Sequence, residues 1–256
     1  MLALTRHGNP SDRPPLVIAH GLFGSGRNWG VIAKRLSDTR EVIAVDMRNH
    51  GDSPRTDRHD YPGMARDLAE VIAAEGRDCD LLGHSMGGKA AMVLALTAPA
   101  GLRRLIVADI APVAYEHSQQ PALDAMRSLD PGALGSRAEA TAALAERLGG
   151  GAEARGLAAF LAQSLDVKAG HWRLNLDALA RDMAAILGFP DIEGRFEGPT
   201  LFLAGAESDY VRPEHRATIK ALFPAARFAK IPGAGHWLHA DKPREFEAAV
   251  RAFLDA

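Results

Sequence analysis

Short runs of apolar residues recur along this 256-residue chain, separated by longer helical patterns. Most of the runs are continuously apolar, which is typical of strands buried on both faces of a parallel sheet. The predicted strands are LVIA (16–19), VIAVD (42–46), CDLLG (79–83), LIVAD (105–109), LFLAG (201–205) and FAKI (228–231). The helical patterns lie near 29–37, 63–75, 86–98, 213–222 and 243–254. This alternation predicts an α/β fold with a mostly parallel, doubly wound sheet.

The alternation is interrupted once, from about residue 112 to residue 197. No strand pattern is found there, and three amphipathic helical segments are predicted instead, at 136–148, 156–165 and 175–187. We therefore expect a core formed by residues 1–111 and 198–256, with a helical insertion at 112–197 between two strands. Because segments at the strand ends of such sheets carry function, we interpret the insertion as a lid over the site.

Composition narrows the possible environments and partners. The chain has 30 Lys and Arg against 32 Asp and Glu, and this net charge of −2 gives no electrostatic reason to expect nucleic acid as a partner. Cys79 is the single cysteine, so no internal disulfide can form. No apolar run is long enough for a signal peptide or a membrane helix. We expect a cytoplasmic protein, a monomer or small homo-oligomer, with a small-molecule substrate.

The strongest local signal is Gly83-His84-Ser85-Met86-Gly87, which matches the G-x-S-x-G nucleophile elbow. In this turn a strand reverses sharply into a helix with the serine at its apex, and the flanking positions need glycine because side chains there would collide. The pattern alone is weak. Its context strengthens it, because CDLLG precedes it as a strand and KAAMVLALTA follows it as a helix. Ser85 is thus the candidate nucleophile.

A loop after the first apolar run, His20-Gly21-Leu22-Phe23-Gly24, is the candidate oxyanion loop. A serine hydrolase needs two backbone N–H groups aimed at the negative oxygen of its tetrahedral intermediate. We expect these from Met86 and Leu22, with Phe23 as the alternative to Leu22. A rival interpretation is a dinucleotide-binding turn, but its glycine spacing, G-x-G-x-x-x-G from Gly24, is looser than the fingerprint and leaves the elbow unexplained.

The candidate base is His236, in a loop directly after the last predicted strand. This location places it at the same edge of the sheet as the elbow, in the chain order Ser, acid, His. Its role would be to accept the serine proton and later to return it to the leaving group. We interpret His239 as a surface residue at a helix start, His84 as structural, and His20 and His50 as packed supports.

The acid that orients His236 is ambiguous. It commonly follows the strand LFLAG in a G-x-x-D pattern, but from Gly205 that position holds Ser208, and Asp209 comes one residue later. Asp109, at the end of the strand after the elbow helix, is a second candidate, and Asp177 on the lid is a third. We favour Asp109 with assistance from Ser208, and Asp209 and Asp177 remain alternatives.

Several segments together resemble one subgroup of the α/β-hydrolase superfamily, the small bacterial esterases with relatives in mitochondria. They are HGLFGSGRNW, VDMRNHGDSPR, GHSMGGKAAM, VADIAPVAY, WRLNLDAL and IPGAGHWLHADKP. The resemblance implies hydrolysis of short- to medium-chain esters or acyl-CoA thioesters. It also implies that Asp109 and Ser208 lie beside the histidine, although some relatives place the acid at the position of Asp177. Hydrolases of this fold often begin with a strand hairpin, but here only LALTR precedes Leu16 as a possible strand, so the sequence leaves the pairing at this edge of the sheet open.

We therefore predict a serine hydrolase with a triad of Ser85, His236 and Asp109, requiring no metal or cofactor. Two alternatives remain: a non-catalytic ligand-binding protein on the same scaffold, and a C–C bond hydrolase or perhydrolase with the same triad. The residues predicted to line the substrate pocket are Phe23, Phe160, Trp172 and Trp237. Leu161 and Leu165 are further lid candidates for an acyl pocket, but we favour the interpretation that some of the lid residues pack the lid down instead.

Overall fold

The computed structural model describes residues 1–116 and 118–256, which form nine strands and eleven α-helices. The strands are β1 (Leu4–His7), β2 (Leu16–Ala19), β3 (Val42–Val45), β4 (Cys79–His84), β5 (Leu102–Ala108), β6 (Leu165–Asp166), β7 (His171–Trp172), β8 (Thr200–Gly205) and β9 (Ala226–Ile231). Seven of them form one sheet in the spatial order β1-β3-β2-β4-β5-β8-β9. The predicted mostly parallel sheet is confirmed, because every pair in it except β1–β3 is parallel.

Both faces of the central strands are buried, which explains their continuously apolar sequences. In β2, Val17 and Ala19 belong to one core cluster, and Leu16 and Ile18 belong to the cluster on the other face. All four residues are fully buried. A parallel sheet covered on both sides leaves no polar face, so its strands do not alternate in polarity.

The N-terminal residues supply the edge strand whose existence the sequence left open. Residues Leu4–His7 pair antiparallel with β3, with Leu4 opposite Val45 and His7 opposite Val42. Two of the four residues of β1 are exposed, as expected at an edge where only one side of the strand is paired.

Helices cover the sheet and connect its parallel strands. They are α1 (Gly30–Leu36), α2 (Tyr61–Ala74), α3 (Met86–Thr97), α4 (Gln120–Arg127), α5 (Arg137–Arg147), α6 (Gly151–Leu161), α7 (Leu176–Arg181), α8 (Met183–Leu187), α9 (His215–Leu222), α10 (Leu238–Asp241) and α11 (Pro243–Leu254). Within the described part of the chain, no helix combines the length and the apolar character needed to cross a membrane.

The segment between β5 and β8 holds helices α4 to α8, so its helical character agrees with the sequence. Two details differ from expectation. A two-stranded sheet of β6 and β7 forms where no strand was predicted, because strands of two residues leave no periodic signal. Helix α4 was also not predicted, although its buried face of Ala122, Leu123, Ala125 and Met126 packs into the core.

Candidate active site

The elbow places Ser85 at the apex of the turn between β4 and α3. Its backbone has φ 52° and ψ −118°, a region that a residue with a side chain rarely adopts. The turn closes because glycine occupies both flanking positions. A Cβ on Gly87 would lie 2.5 Å from the carbonyl oxygen of Ala19, and a Cβ on Gly83 would overlap the Gly87 carbonyl. The glycines therefore allow the sharp reversal that exposes the serine hydroxyl.

His236 faces this hydroxyl from the loop after β9. Its Nε2 lies 3.1 Å from Ser85 Oγ, and its Nδ1 lies 2.8 Å from Asp109 Oδ2. Since a carboxylate only accepts hydrogen bonds, Nδ1 carries the proton and Nε2 is left to accept from the serine. The structure thus brings together the three residues that the sequence analysis favoured for the triad.

Asp109 is fully buried at the end of β5 and accepts three hydrogen bonds. Oδ1 accepts from the Gly205 backbone N–H at 2.9 Å, while Oδ2 accepts from Ser208 Oγ at 2.5 Å as well as from His236. Ser208 therefore stands beside the acid, in the position that the sequence assigned to an assisting residue.

The two rival acids lie elsewhere. The Asp177 side chain is 83% exposed and pairs with Arg127 at 3.2 Å. Asp209 is also exposed, and it contacts its surroundings through a backbone carbonyl that accepts from Arg212. The one-residue shift in this loop turns Ser208 rather than Asp209 toward the Asp109 carboxylate.

Two residues that contact His236 have roles that the sequence analysis did not specify. The ring of Tyr210 stacks on the imidazole, with centroids 3.9 Å apart and planes 17° apart, and burial raises the pKa of this tyrosine to about 12. His84 Nε2–H donates to the His236 carbonyl oxygen at 2.9 Å, and burial lowers the pKa of His84 well below its usual value. The stacking of Tyr210 on His236 could have been suspected from the sequence only because Tyr210 lies two residues after Ser208.

In the candidate oxyanion loop, the backbone N–H groups of Phe23 and Leu22 differ in whether they already have an acceptor. The Phe23 N–H donates to His50 Nε2 at 3.1 Å, so it is already engaged. The Leu22 N–H has no acceptor within the described residues, and the loop lines the cavity at Ser85. Met86 is the first residue of α3, where a backbone N–H lacks an intrahelical acceptor. Leu22 and Met86 are therefore the available donors.

A cavity of about 1130 Å³ opens above Ser85. Of the predicted apolar lining residues, Phe23, Phe160 and Trp237 line it, and the last two pack with ring centroids 5.4 Å apart. The pocket prediction for Trp172 was wrong, whereas Leu161 and Leu165 have the packing role that the sequence analysis gave as the alternative. Leu161 and Leu165 are fully buried, and Trp172 lines a separate groove, because strand β7 pairs Trp172 with Leu165 away from the cavity.

His239 is not the surface residue that the sequence suggested. It lines the cavity and stacks on buried Trp29, with ring centroids 4.0 Å apart. Burial lowers its pKa to about 3. The stacking partner comes from an element far away in the sequence, which explains why the local pattern around His239 did not reveal it.

Lys89, one turn beyond the serine on α3, joins the elbow helix to the end of the insertion. Its Nζ donates to the carbonyl oxygens of Leu187 at 2.8 Å and Gly188 at 2.5 Å, and it lies 4.7 Å from the Tyr115 ring centroid. The side chain is almost fully buried, and burial lowers the pKa of Lys89 to about 7.

A mostly parallel sheet of this order, with a serine at a strand-to-helix turn facing a histidine, defines the class of α/β hydrolases. The family model described as the alpha/beta hydrolase fold matches residues 14–243, and the chain belongs to this family.

The similarity to individual proteins extends over almost the whole chain. The sn-1-specific diacylglycerol lipase ABHD11 of Mus musculus is 40% identical over 248 residues, covering 94% of this chain and 81% of that protein. Esterase YbfF of Escherichia coli strain K12 is 38% identical over 249 residues, covering 96% and 95%. The solved structure of a marine microorganism esterase superposes with a TM-score of 0.91 at 36% identity, covering 98% of both chains.

Proposed function

We infer that this protein is a serine hydrolase that cleaves carboxylic esters or acyl thioesters through Ser85, His236 and Asp109. The observation that carries this proposal is the continuous hydrogen-bonded row from Ser85 Oγ through both nitrogens of the His236 imidazole to the buried Asp109 carboxylate. The similarity to proteins named as a diacylglycerol lipase and as esterases supports the same reaction class.

In the first half of the reaction, Ser85 Oγ attacks the carbonyl carbon of the substrate and its proton moves to His236 Nε2. The carbonyl oxygen becomes negative and is stabilised by the Leu22 and Met86 N–H groups, each typically worth about 3 kcal/mol. The bond from carbon to the alcohol oxygen or thiol sulfur then breaks. The leaving group takes the proton from Nε2, and the acyl group remains on Ser85.

In the second half, water attacks the acyl carbon and gives a proton to His236 Nε2. The bond between that carbon and Ser85 Oγ breaks, the serine regains its proton, and a carboxylic acid leaves. Asp109 accepts from Nδ1 throughout, which keeps the same tautomer and stabilises the imidazolium in both halves.

The acyl chain is proposed to lie in the cavity beneath the insertion, and residues 112–197 are proposed to act as its lid. Apolar side chains of the insertion line the cavity and favour an acyl chain over a polar group. They are Leu148, Leu157, Phe160, Ile186 and Leu187. We propose acyl groups of short to medium length as the substrate class.

The test is hydrolysis of p-nitrophenyl butyrate and of a matching acyl-CoA thioester by wild type and Ser85→Ala. We expect Ser85→Ala to lose all measurable turnover and all labelling by a fluorophosphonate probe. Ser37→Ala, at the end of α1 and at the opposite edge of the sheet, is the control and should keep normal rates. Folded wild type that neither turns over nor labels would favour the ligand-binding alternative. Labelling without ester turnover would favour C–C bond cleavage or perhydrolysis.

A further inference from the structure

The loop after β3 contacts the candidate oxyanion loop through two buried histidines. His20 Nε2 accepts from the Met47 N–H at 2.9 Å, and His50 Nε2 accepts from the Phe23 N–H at 3.1 Å. The two imidazoles lie 5.1 Å apart between centroids. Each histidine therefore forms one of two reciprocal bonds between the loops, and the sequence analysis had assigned both only a packing role.

The bonding partners of His50 fix its protonation state. Nδ1 faces the Arg48 carbonyl oxygen at 2.9 Å, which only accepts, so Nδ1 carries the proton. Nε2 faces a backbone N–H, which only donates, so Nε2 must be unprotonated. Only one neutral tautomer satisfies both contacts. Burial, with a smaller contribution from His20, lowers the pKa of His50 to about 3, which keeps the ring neutral near pH 7.

The bond to His50 engages a strained part of the oxyanion loop. Gly21 to Gly24 form a turn closed by the Gly24 N–H and the Gly21 carbonyl at 3.1 Å. Phe23 occupies the third position at φ 63°, which a glycine normally supplies in a type II turn. A phenylalanine persists there only if its surroundings impose the conformation. The His50 acceptor is one such restraint, next to the Leu22 N–H.

The backbone beside His50 is itself held by the insertion. His50 forms an isolated antiparallel bridge with Leu174. On either side of it, the Gly51 N–H donates to the Arg173 carbonyl at 2.7 Å, and the Asn175 N–H donates to the Asn49 carbonyl at 2.9 Å. The imidazole therefore extends from a fixed backbone and can act as a rigid acceptor.

We propose that His50 is a positioning residue for the oxyanion hole, because its imidazole nitrogen holds the Phe23 N–H and thereby keeps the neighbouring Leu22 N–H available to the substrate oxygen. This inference rests on the proposed function. His50 does not contact the reacting atoms, so its loss should lower transition-state stabilisation while leaving ground-state binding largely unchanged.

The test compares His50→Leu with His50→Gln, in the full chain, on p-nitrophenyl butyrate. Leucine removes the acceptor at similar volume, whereas glutamine places a carbonyl oxygen near the former Nε2. We expect roughly a 10- to 100-fold lower kcat for His50→Leu with KM within about threefold, somewhat less than the loss of a whole oxyanion donor. His50→Gln should recover most of that loss. Exchange of the Phe23 amide hydrogen should be faster in His50→Leu than in wild type or His50→Gln.

Each outcome decides between the two proposals. Wild type without Ser85-dependent turnover would overturn the proposed function, and with it this inference. An active wild type would leave the function standing, and then three results would overturn the role of His50 alone. These are a normal kcat in His50→Leu, equal losses in the leucine and glutamine variants, and an effect confined to KM. If His50→Leu does not fold, an unprotected Phe23 amide in wild type would likewise overturn it.

Discussion

The Asp109→Asn variant tests the assignment of the acid most directly. In wild type, Oδ1 accepts from the Gly205 N–H, and Oδ2 accepts from Ser208 and from His236 Nδ1. An asparagine keeps one oxygen, which the buried Gly205 N–H requires, and so turns its NH₂ group toward His236. Because that group donates, Nδ1 must become the acceptor and the imidazole proton moves to Nε2. Nε2 can then no longer accept the proton of Ser85.

The size of the effect follows from this change of tautomer. Removal of the correct tautomer while the geometry is preserved costs about 10⁴-fold in a comparable triad, and we expect a loss of roughly 10³- to 10⁴-fold in kcat here. This corresponds to about 4 to 5.5 kcal/mol of transition-state stabilisation. KM should change by less than about threefold, since Asp109 is fully buried and lies behind the imidazole.

The chain supplies two matched controls for Asp109→Asn. Asp177→Asn and Asp209→Asn make the same chemical change at the rival positions, both on exposed side chains; Asp177 pairs with Arg127, and His236 Nδ1 is already bonded to Asp109. Each should keep kcat within about twofold of wild type. The assay is initial-rate release of p-nitrophenol, normalised to the folded fraction by circular dichroism. A loss in Asp177→Asn as large as that in Asp109→Asn, or retention of a tenth of wild-type kcat by Asp109→Asn, would refute the reasoning.

Two further predictions concern stability and pH. Burial lowers the pKa of His20 to about 4 and of His50, His59 and His239 to about 3, against 6.5 in the unfolded chain. Since the unfolded chain binds more protons in this window, the free energy of unfolding should fall as pH drops from about 6.5 toward 4. Urea titrations at pH 7 and pH 5 check this, and equal stabilities would contradict it. Burial likewise lowers the pKa of Lys89 from 10.5 to about 7, so the unfolded chain holds an extra proton between these values and wild type gains stability as pH rises through them. The free energy of unfolding of Lys89→Met, taken relative to that of wild type, should therefore be about 3 kcal/mol higher at pH 7 than at pH 10. A difference between the two proteins that does not change with pH would disprove the argument.

The central sheet could be predicted from the sequence because burial on both faces leaves a continuous apolar signal. Strand β2 was predicted with its correct bounds, and β3 and β4 to within one residue. Strand β1 was less evident, because half of its short length is exposed. Strands β6 and β7 have two residues each and are set by tertiary contacts, which leave no periodic pattern in the sequence.

Some residues of the candidate site could likewise be predicted from the sequence, and others could not. Ser85 and His236 could be identified because a sharp turn imposes glycine spacing and because a base must follow the last strands. The acid could not be chosen from the sequence, since Asp109, Asp177 and Asp209 all fall in plausible segments. Their side-chain directions depend on how separate loops pack. The pocket prediction for Trp172 was wrong for the same reason: the sequence shows that the residue is apolar but not which partner covers it.

Backbone strain links the site to the sheet. Among the described residues, four that are not glycine have positive φ: Phe23, Asn49, Ser85 and Asp109. Each lies shortly after one of the neighbouring strands β2, β3, β4 and β5, at the edge of the sheet where the cavity opens. Such conformations cost about 1 to 2 kcal/mol per residue and persist only where surrounding contacts impose them. Ser85 is the candidate nucleophile and Asp109 is the candidate acid. Phe23 follows the candidate oxyanion donor, and Asn49 precedes His50. If this strain served only folding, it would have no reason to concentrate at one edge, so its placement argues that these four turns orient groups for chemistry.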